Sequence, residues 1–275
     1  MKNTIALIQM VSSQFVDDNL MRVDALIREA AGSAKFIFLP ENFAALAAPN
    51  TYQIGEREEG LEPPIRTFMA ALANELSCWI FAGTMPLARR ANGDIPTAGR
   101  VRAASIVYNP DGVEIARYDK IHMFDVEVAD SQRHYRESLT FEPGDELVVV
   151  PTPLGKIGLS VCYDIRFPEL YRLLFAEGAE CLLMPSAFTR VTGEAHFEVL
   201  MRARAIENVA YTIAACQGGV HDSGRETFGH SMVISPWGEV IAKLGLGEGV
   251  LLADIDLDAV HRMRRDMPVH QQRRL

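Results

Sequence analysis

The sequence predicts an α/β fold in which a mixed sheet architecture carries helices on its outer faces. Two observations carry that expectation. Short apolar runs alternate with amphipathic stretches along the whole chain, the pattern of strands covered by helices. Two turn signals, Asn109-Pro110-Asp111-Gly112 and Pro236-Trp237-Gly238-Glu239, each sit between neighbouring apolar runs and mark antiparallel pairs. No linker-like tract and no short-period repeat interrupts the 275 residues, so one domain spanning 1–275 is expected.

Residues 4–10, which contain the first apolar stretch from Ile5 to Met10, read as a strand. Residues 17–31 set Leu20, Val23, Ile27 and Ala30 at helical spacing, with Asp17 or Asp18 as the expected cap and Gly32 as the stop. The four apolar residues 36–39 read as a buried strand. A helix is expected over 65–76, a strand over 79–83, and two strands, 103–108 and 113–118, around the first turn signal. Strands over 147–150 and 156–161 precede a helix over 169–177 that ends near Gly178. A strand at 181–184, a long helix at 196–208 and a strand at 211–216 follow. Strands at 229–234, 240–243 and 250–254 and a helix at 258–267 close the chain. Residues 91–99 are turn-rich and read as a surface loop, and Gly245-Leu246-Gly247 reads as a hairpin loop rather than a nucleotide site, because no helix or third glycine follows it.

Composition narrows the partners. Lys and Arg number 27 against 36 Asp and Glu, a formal charge of −9, which argues against a nucleic acid or a membrane surface. The Arg-rich end, 262–273, reads as a solvated helix face because Asp256, Asp258 and Asp266 lie among its cations. The four cysteines, Cys78, Cys162, Cys181 and Cys216, form no C-x-x-C pair and so neither a zinc pattern nor a disulfide framework. No export signal or membrane-length apolar run is visible, so a reducing, cytoplasmic setting is expected.

In open α/β sheets, reactive groups collect just beyond the carboxyl ends of strands. Glu41 follows the 36–39 run and Pro40, Lys120 follows the 113–118 strand, and Cys162 follows the 156–161 strand. Cys78, Cys181 and Cys216 read as buried structural thiols. Cys162 differs: a polar turn, Tyr163-Asp164-Ile165-Arg166, leads from it toward a helix whose N-terminus would favour thiolate. A thiol still needs a base. No histidine is close in sequence, although one of the seven could approach in space, so a Cys–His arrangement stays open here. A carboxylate can serve as base but raises the thiol pKa by repulsion. A lysine offsets that repulsion and can hold a developing oxyanion. Cys, Glu and Lys thus form a coherent acyl-transfer set. A cysteine phosphatase fits poorly, since the residues after Cys162 include no glycine and an acid stands where phosphate would sit.

The segments Leu39-Pro40-Glu41-Asn42-Phe43, Tyr118-Asp119-Lys120-Ile121-His122-Met123-Phe124-Asp125 and Gly158-Leu159-Ser160-Val161-Cys162-Tyr163-Asp164-Ile165-Arg166-Phe167-Pro168-Glu169 resemble, in order, the three motif blocks of the nitrilase (carbon–nitrogen hydrolase) superfamily. Later segments, including Pro185-Ser186-Ala187-Phe188 and Gly229-His230-Ser231-Met232, resemble its amidase branch. Within that branch the chain looks closest to deaminated-glutathione amidases, with omega-amidases next. One departure is Phe197, where the related branch often has Trp after the histidine.

The resemblance implies a four-layer αββα sandwich and a hydrolase of linear amides that needs no metal or organic cofactor. It implies Glu41 as general base, Lys120 as oxyanion cation, Cys162 as nucleophile and Glu137 as a second carboxylate. The Tyr163 N–H would join Lys120, with Phe188 and Thr192 as a pocket wall. Arg166 is the expected carboxylate clamp, since a guanidinium grips a carboxylate in a fork. The implied reaction turns a small carboxylate-bearing amide into acid and ammonia through a thioester. The implied partners are that amide and, in a homodimer or larger homo-oligomer, further copies of the chain. A non-catalytic homologue would be expected to have lost one of Glu41, Lys120 or Cys162, and all three are present.

Overall fold

The computed structural model describes residues 2–97 and 99–274. The first half contains β1 (Lys2–Gln9), α1 (Val16–Ala31), β2 (Phe36–Phe38), α2 (Thr51–Arg57), α3 (Pro64–Leu76), β3 (Trp79–Leu87), β4 (Arg102–Tyr108) and β5 (Glu114–Asp119). A short hairpin, β6 (Asp125–Glu127) and β7 (His134–Arg136), leads to the second half. There follow β8 (Val149–Thr152), β9 (Gly155–Leu159), α4 (Pro168–Ala176), β10 (Cys181–Leu183), α5 (Arg190–Thr192), α6 (Glu198–Asn208) and β11 (Tyr211–Ala214). The chain closes with β12 (Gly218–Val220), β13 (Glu226–Phe228), β14 (Met232–Ile234), β15 (Val240–Lys243), β16 (Gly249–Asp256), α7 (Leu257–Asp266) and α8 (Val269–Gln272).

Two six-stranded sheets result, ordered β16-β1-β2-β3-β4-β5 and β15-β14-β11-β10-β9-β8. Each has three parallel strands at its centre, β1-β2-β3 and β9-β10-β11, with antiparallel strands outside. The period-two alternation of strands sorts their side chains. Ile5, Leu7, Phe36, Phe38 and Phe81 face inward and share one core with Ile157, Leu159, Leu183 and Ile213 of the second sheet. Ala6, Ile8, Ile37 and Ile80 face outward and pack on Val23 and Ile27 of α1 and Met69 and Leu72 of α3. Leu170 and Tyr171 of α4 and Met201 and Ala205 of α6 cover the second sheet. The layers are therefore α-β-β-α. Strands covered on both faces must be apolar on both faces, which is why 5–8 and 36–39 read as unbroken apolar runs.

Several boundaries differ from the sequence reading. The N-cap of α1 is Phe15, without a side-chain cap, while Asp17 and Asp18 lie in its first turn, where carboxylates complement the helix dipole. The strand expected over 79–83 continues to Leu87. The helix expected from 196 opens with a wide π-type turn, Gly193–Phe197, before α6. The strand expected over 229–234 begins at Met232, because Gly229 and His230 take left-handed conformations at φ 68° and 57°. Gly245-Leu246-Gly247 is not a hairpin loop. It crosses from β15 in one sheet to β16 in the other, pinned by Gln9 Nε2, which donates to the carbonyls of Gly245 (2.8 Å) and Gly247 (2.7 Å).

The close approach of β3 to the turn after β2 positions Glu41. A Cβ built on Gly83 would stand 1.8 Å from the Pro40 carbonyl oxygen, so only glycine fits without backbone movement. Gly83→Ala is therefore expected to lower stability by about 1–3 kcal/mol, as overpacking does, and to reduce turnover by displacing Glu41. Thermal unfolding and amide hydrolysis on the same preparation check this. Unchanged Tm and turnover would mean that the strand shifts freely.

Candidate active site

The turn after β2 delivers Glu41 and the end of β5 delivers Lys120. Lys120 Nζ donates to Glu41 Oε1 at 2.8 Å and to both oxygens of Glu137 at 2.7 and 2.8 Å. Lys120 is 1 % exposed, so its charge is neutralised inside the protein rather than by solvent. Glu137 begins a 3-10 turn, Glu137–Leu139, and also accepts the Phe124 N–H at 2.6 Å. The other oxygen of Glu41, Oε2, accepts the Ala187 N–H at 2.8 Å. The Glu41 main chain is held too: Gln217 Nε2 donates to its carbonyl at 3.0 Å and to Ser12 Oγ at 2.8 Å.

Cys162 opens a 3-10 turn, Cys162–Arg166, three residues past the end of β9. Its φ is +47°, a left-handed value uncommon for a residue with a side chain, and Asn42 beside Glu41 has φ 54°. Such strain persists where the surroundings over-determine it, and they do so here. The Cys162 N–H donates to the Pro185 carbonyl at 3.0 Å. Fully buried Asp164 accepts from the Val161 N–H (2.8 Å), the Tyr118 hydroxyl (2.7 Å) and the His122 N–H (2.9 Å). One carboxylate thus ties the cysteine turn to the segment on either side of Lys120. Its place within the third motif gave no sign of that task.

Burial and the neighbouring Glu41 carboxylate push the Cys162 thiol well above its usual range, against the pull of Lys120. The expectation that a helix N-terminus would favour thiolate is therefore corrected. The turn after Cys162 is 3-10, α4 starts only at Pro168, and a carboxylate stands beside the sulfur. Burial disfavours the Lys120 ammonium, but Glu137, Glu41 and Cys162 outweigh it and hold its pKa far above the ordinary value. Burial raises Glu137 against the pull of Lys120. The same pocket thus brings together a thiol, two carboxylates and an ammonium, with the thiol and the ammonium both shifted toward their protonated forms.

That pocket is a cavity of about 270 Å³. Glu41, Lys120, Glu137, Cys162, Tyr163, Phe188 and Thr192 all line it, and none of its lining residues is a histidine. Arg166 does not line it. The turn directs its guanidinium over the rings of Tyr163 (5.7 Å) and Phe188 (5.5 Å) and to His196 Nδ1 at 3.3 Å. The cavity instead contains Gln132, Tyr135, Arg136 and Arg225, none of which the sequence singled out. They sit on short strands and tight turns that leave no periodic signal. Phe197, the departure noted above, is buried and packs on Phe188 with ring centroids 4.8 Å apart.

The profile of the carbon–nitrogen hydrolase family matches residues 4–265. The chain belongs to that family. This hydrolase is 39 % identical over 275 residues to the deaminated glutathione amidase of Yersinia enterocolitica, covering all of this chain and 94 % of the relative. It is 35 % identical over 271 residues to human omega-amidase NIT2, covering 98 % and 94 % of the two chains. The crystal structure of Saccharomyces cerevisiae Nit3, a nitrilase-superfamily member, superposes with a TM-score of 0.85 at 31 % identity, covering 100 % of this chain and 97 % of that one. The αββα sandwich is the fold of these neighbours. Among the described residues of this carbon–nitrogen hydrolase, no helix is long and apolar enough to cross a membrane, and no group of three or more His, Cys, Asp or Glu is arranged to hold a metal ion.

Because the Cys162 pKa is raised, the resting enzyme is expected to hold a neutral thiol at neutral pH. The ultraviolet thiolate band, taken as the difference between wild type and Cys162→Ala, should be absent near neutrality and emerge only on the alkaline side. A full thiolate band at neutral pH would refute this assignment.

Proposed function

We propose that the chain hydrolyses a small carboxylate-bearing amide through a thioester on Cys162, with deaminated glutathione as the substrate. The observation that carries this reading is the Lys120 ammonium, buried between Glu41 and Glu137 in the cavity that Cys162 lines. The similarity to deaminated glutathione amidases supports the substrate. A primary 2-oxo acid amide such as 2-oxoglutaramate is the second reading, favoured by the similarity to omega-amidase NIT2 and by the small cavity.

Glu41 takes the thiol proton as the sulfur attacks the amide carbon. Lys120 and the Tyr163 N–H hold the oxyanion that forms. Glu41 passes its proton to the departing nitrogen and the C–N bond breaks, leaving a thioester. The leaving group is ammonia from a primary amide and an amine from deaminated glutathione, itself a substituted amide. Water, deprotonated by Glu41, adds to the thioester, and the C–S bond breaks to return the thiol and release the acid. Glu137 orients Lys120. Tyr163, Phe188 and Thr192 form the pocket wall, and Arg166 braces Tyr163 and Phe188. One domain spanning 1–275 carries the reaction.

We place the enzyme in the cytoplasm, in keeping with four free, buried cysteines. We expect it to act as a homodimer or larger homo-oligomer. Val199 and Ile206 of α6 and Trp237 are exposed apolar side chains, and a Cβ on Gly238 would touch Ile206, which places Trp237 beside that helix.

Purified protein should release acid from deaminated glutathione and 2-oxoglutaramate in preference to a nitrile or an N-carbamoyl amine. Cys162→Ala should abolish turnover, and mass spectrometry should find the acyl adduct on Cys162 alone. Lys120→Ala should reduce kcat at least ~100-fold, as loss of an oxyanion donor does. Glu137→Gln should cost less than Glu41→Gln. Substantial activity in Cys162→Ala would overturn the mechanism, and preference for the nitrile would overturn the substrate class.

A further inference from the structure

The cavity holds three cations besides its polar donors, and two of them are already compensated. Lys120 sits between two carboxylates, and Arg136 lies 3.4 Å from Glu127. Arg225 differs. Among the described residues no carboxylate lies within ion-pair distance of it, and its Nε is buried without a hydrogen-bond partner. Its Nη2 donates to the Ala187 carbonyl at 3.0 Å, and its guanidinium lies 5.6 Å from the centroid of the Tyr135 ring.

This arginine is rigidly presented. It ends the turn between β12 and β13, which His221 anchors by its N–H to the Arg225 carbonyl (2.9 Å) and by its ring to the Ser12 carbonyl and the Thr227 hydroxyl, each at 2.8 Å. It is also coupled to the reacting groups, because the same Ala187 whose carbonyl it caps donates its N–H to Glu41. A second cleft of about 210 Å³ adjoins the cavity, and Gln132, Tyr135 and Arg225 line both. Arg225 therefore stands at the junction of two spaces.

A half-buried guanidinium without a counter-charge favours an anion that offers two acceptors in one plane. We propose that Arg225 binds a carboxylate of the substrate and sets the preference for charged amides. This rests on reading the cavity as an amide site. The carboxylate can belong to the acyl part or to the leaving group, and the two sources are separable.

The test measures binding rather than turnover, so it stands whether or not the hydrolysis reading survives. Cys162→Ala protein is titrated calorimetrically with 2-oxoglutaramate (acyl-side carboxylate), N-butanoylglycine (leaving-group carboxylate) and uncharged pentanamide. The same titrations follow in the Cys162→Ala, Arg225→Gln protein, where Gln still offers a donor to the Ala187 carbonyl. Loss of a hydrogen bond to a charged group predicts about 10- to 100-fold weaker binding of at least one carboxylate ligand, with a far smaller change for pentanamide. The ligand that responds identifies the source. Arg225→Lys should weaken the same ligand, since an ammonium cannot reproduce the fork, and it serves if the Gln variant unfolds. Equal losses for pentanamide and both carboxylates, or no loss for either carboxylate, would overturn the assignment. Retained carboxylate selectivity in an enzyme shown to hydrolyse amides would remove Arg225 alone.

Discussion

Everything in the site depends on one ammonium kept out of water. Transferring a lysine charge from solvent to a protein interior costs several kcal/mol, and attraction to well-placed anions offsets that cost only with good geometry. Lys120 meets the condition with two carboxylates at hydrogen-bond distance. Burial first, and then the Glu41 carboxylate, push the neighbouring Cys162 thiol above its usual pKa range, against the pull of the ammonium. The carboxylates lie 79 and 17 residues from the lysine, so the cluster forms only when distant parts of the chain are in register. Moving any one member would leave a buried charge without its partner.

The scaffold meets that demand through junctions rather than through the sheets themselves. The turn bearing Glu41 and the residue Cys162 both involve left-handed backbone, at Asn42 and at Cys162, which places reactive side chains where a continuing strand could not. Each junction is fastened to its neighbours. Asp164 links the cysteine turn to Tyr118 and His122, Gln217 grips the Glu41 carbonyl, and Thr84 accepts the Asn42 N–H at 2.8 Å. The strain is local and its restraints come from both sheets.

Much of this was legible in the sequence. Doubly covered strands need apolar residues on both faces, so β1 and β2 announce themselves, and Glu41, Lys120 and Cys162 are visible because each lies just beyond a stretch that reads as a strand. Glu137 emerges only through family resemblance, since a 3-10 turn of three residues has no period to detect. The same limit hid the hairpins β6–β7 and β12–β13, whose strands have three residues each, and with them Tyr135 and Arg225. Arg166 shows a different limit: nearness to the nucleophile along the chain does not fix the direction of a side chain leaving a tight turn, and its guanidinium lies over the Tyr163 and Phe188 rings. Asp164 stood in plain view, but a carboxylate that accepts three backbone and hydroxyl donors looks the same in sequence as one that performs chemistry.

The pairing of β1 with β16 joins residues 2–9 to residues 249–256. Loop closure over that span is slow to form and late to be rewarded. On the ribosome, β1 emerges 240 residues ahead of its antiparallel neighbour, counted from Gln9 to Gly249. Until then the first sheet presents an apolar strand with an open edge, the kind of surface that templates association with other chains. The last strand to be made is thus the one that seals the first, so a truncated chain would expose that edge permanently.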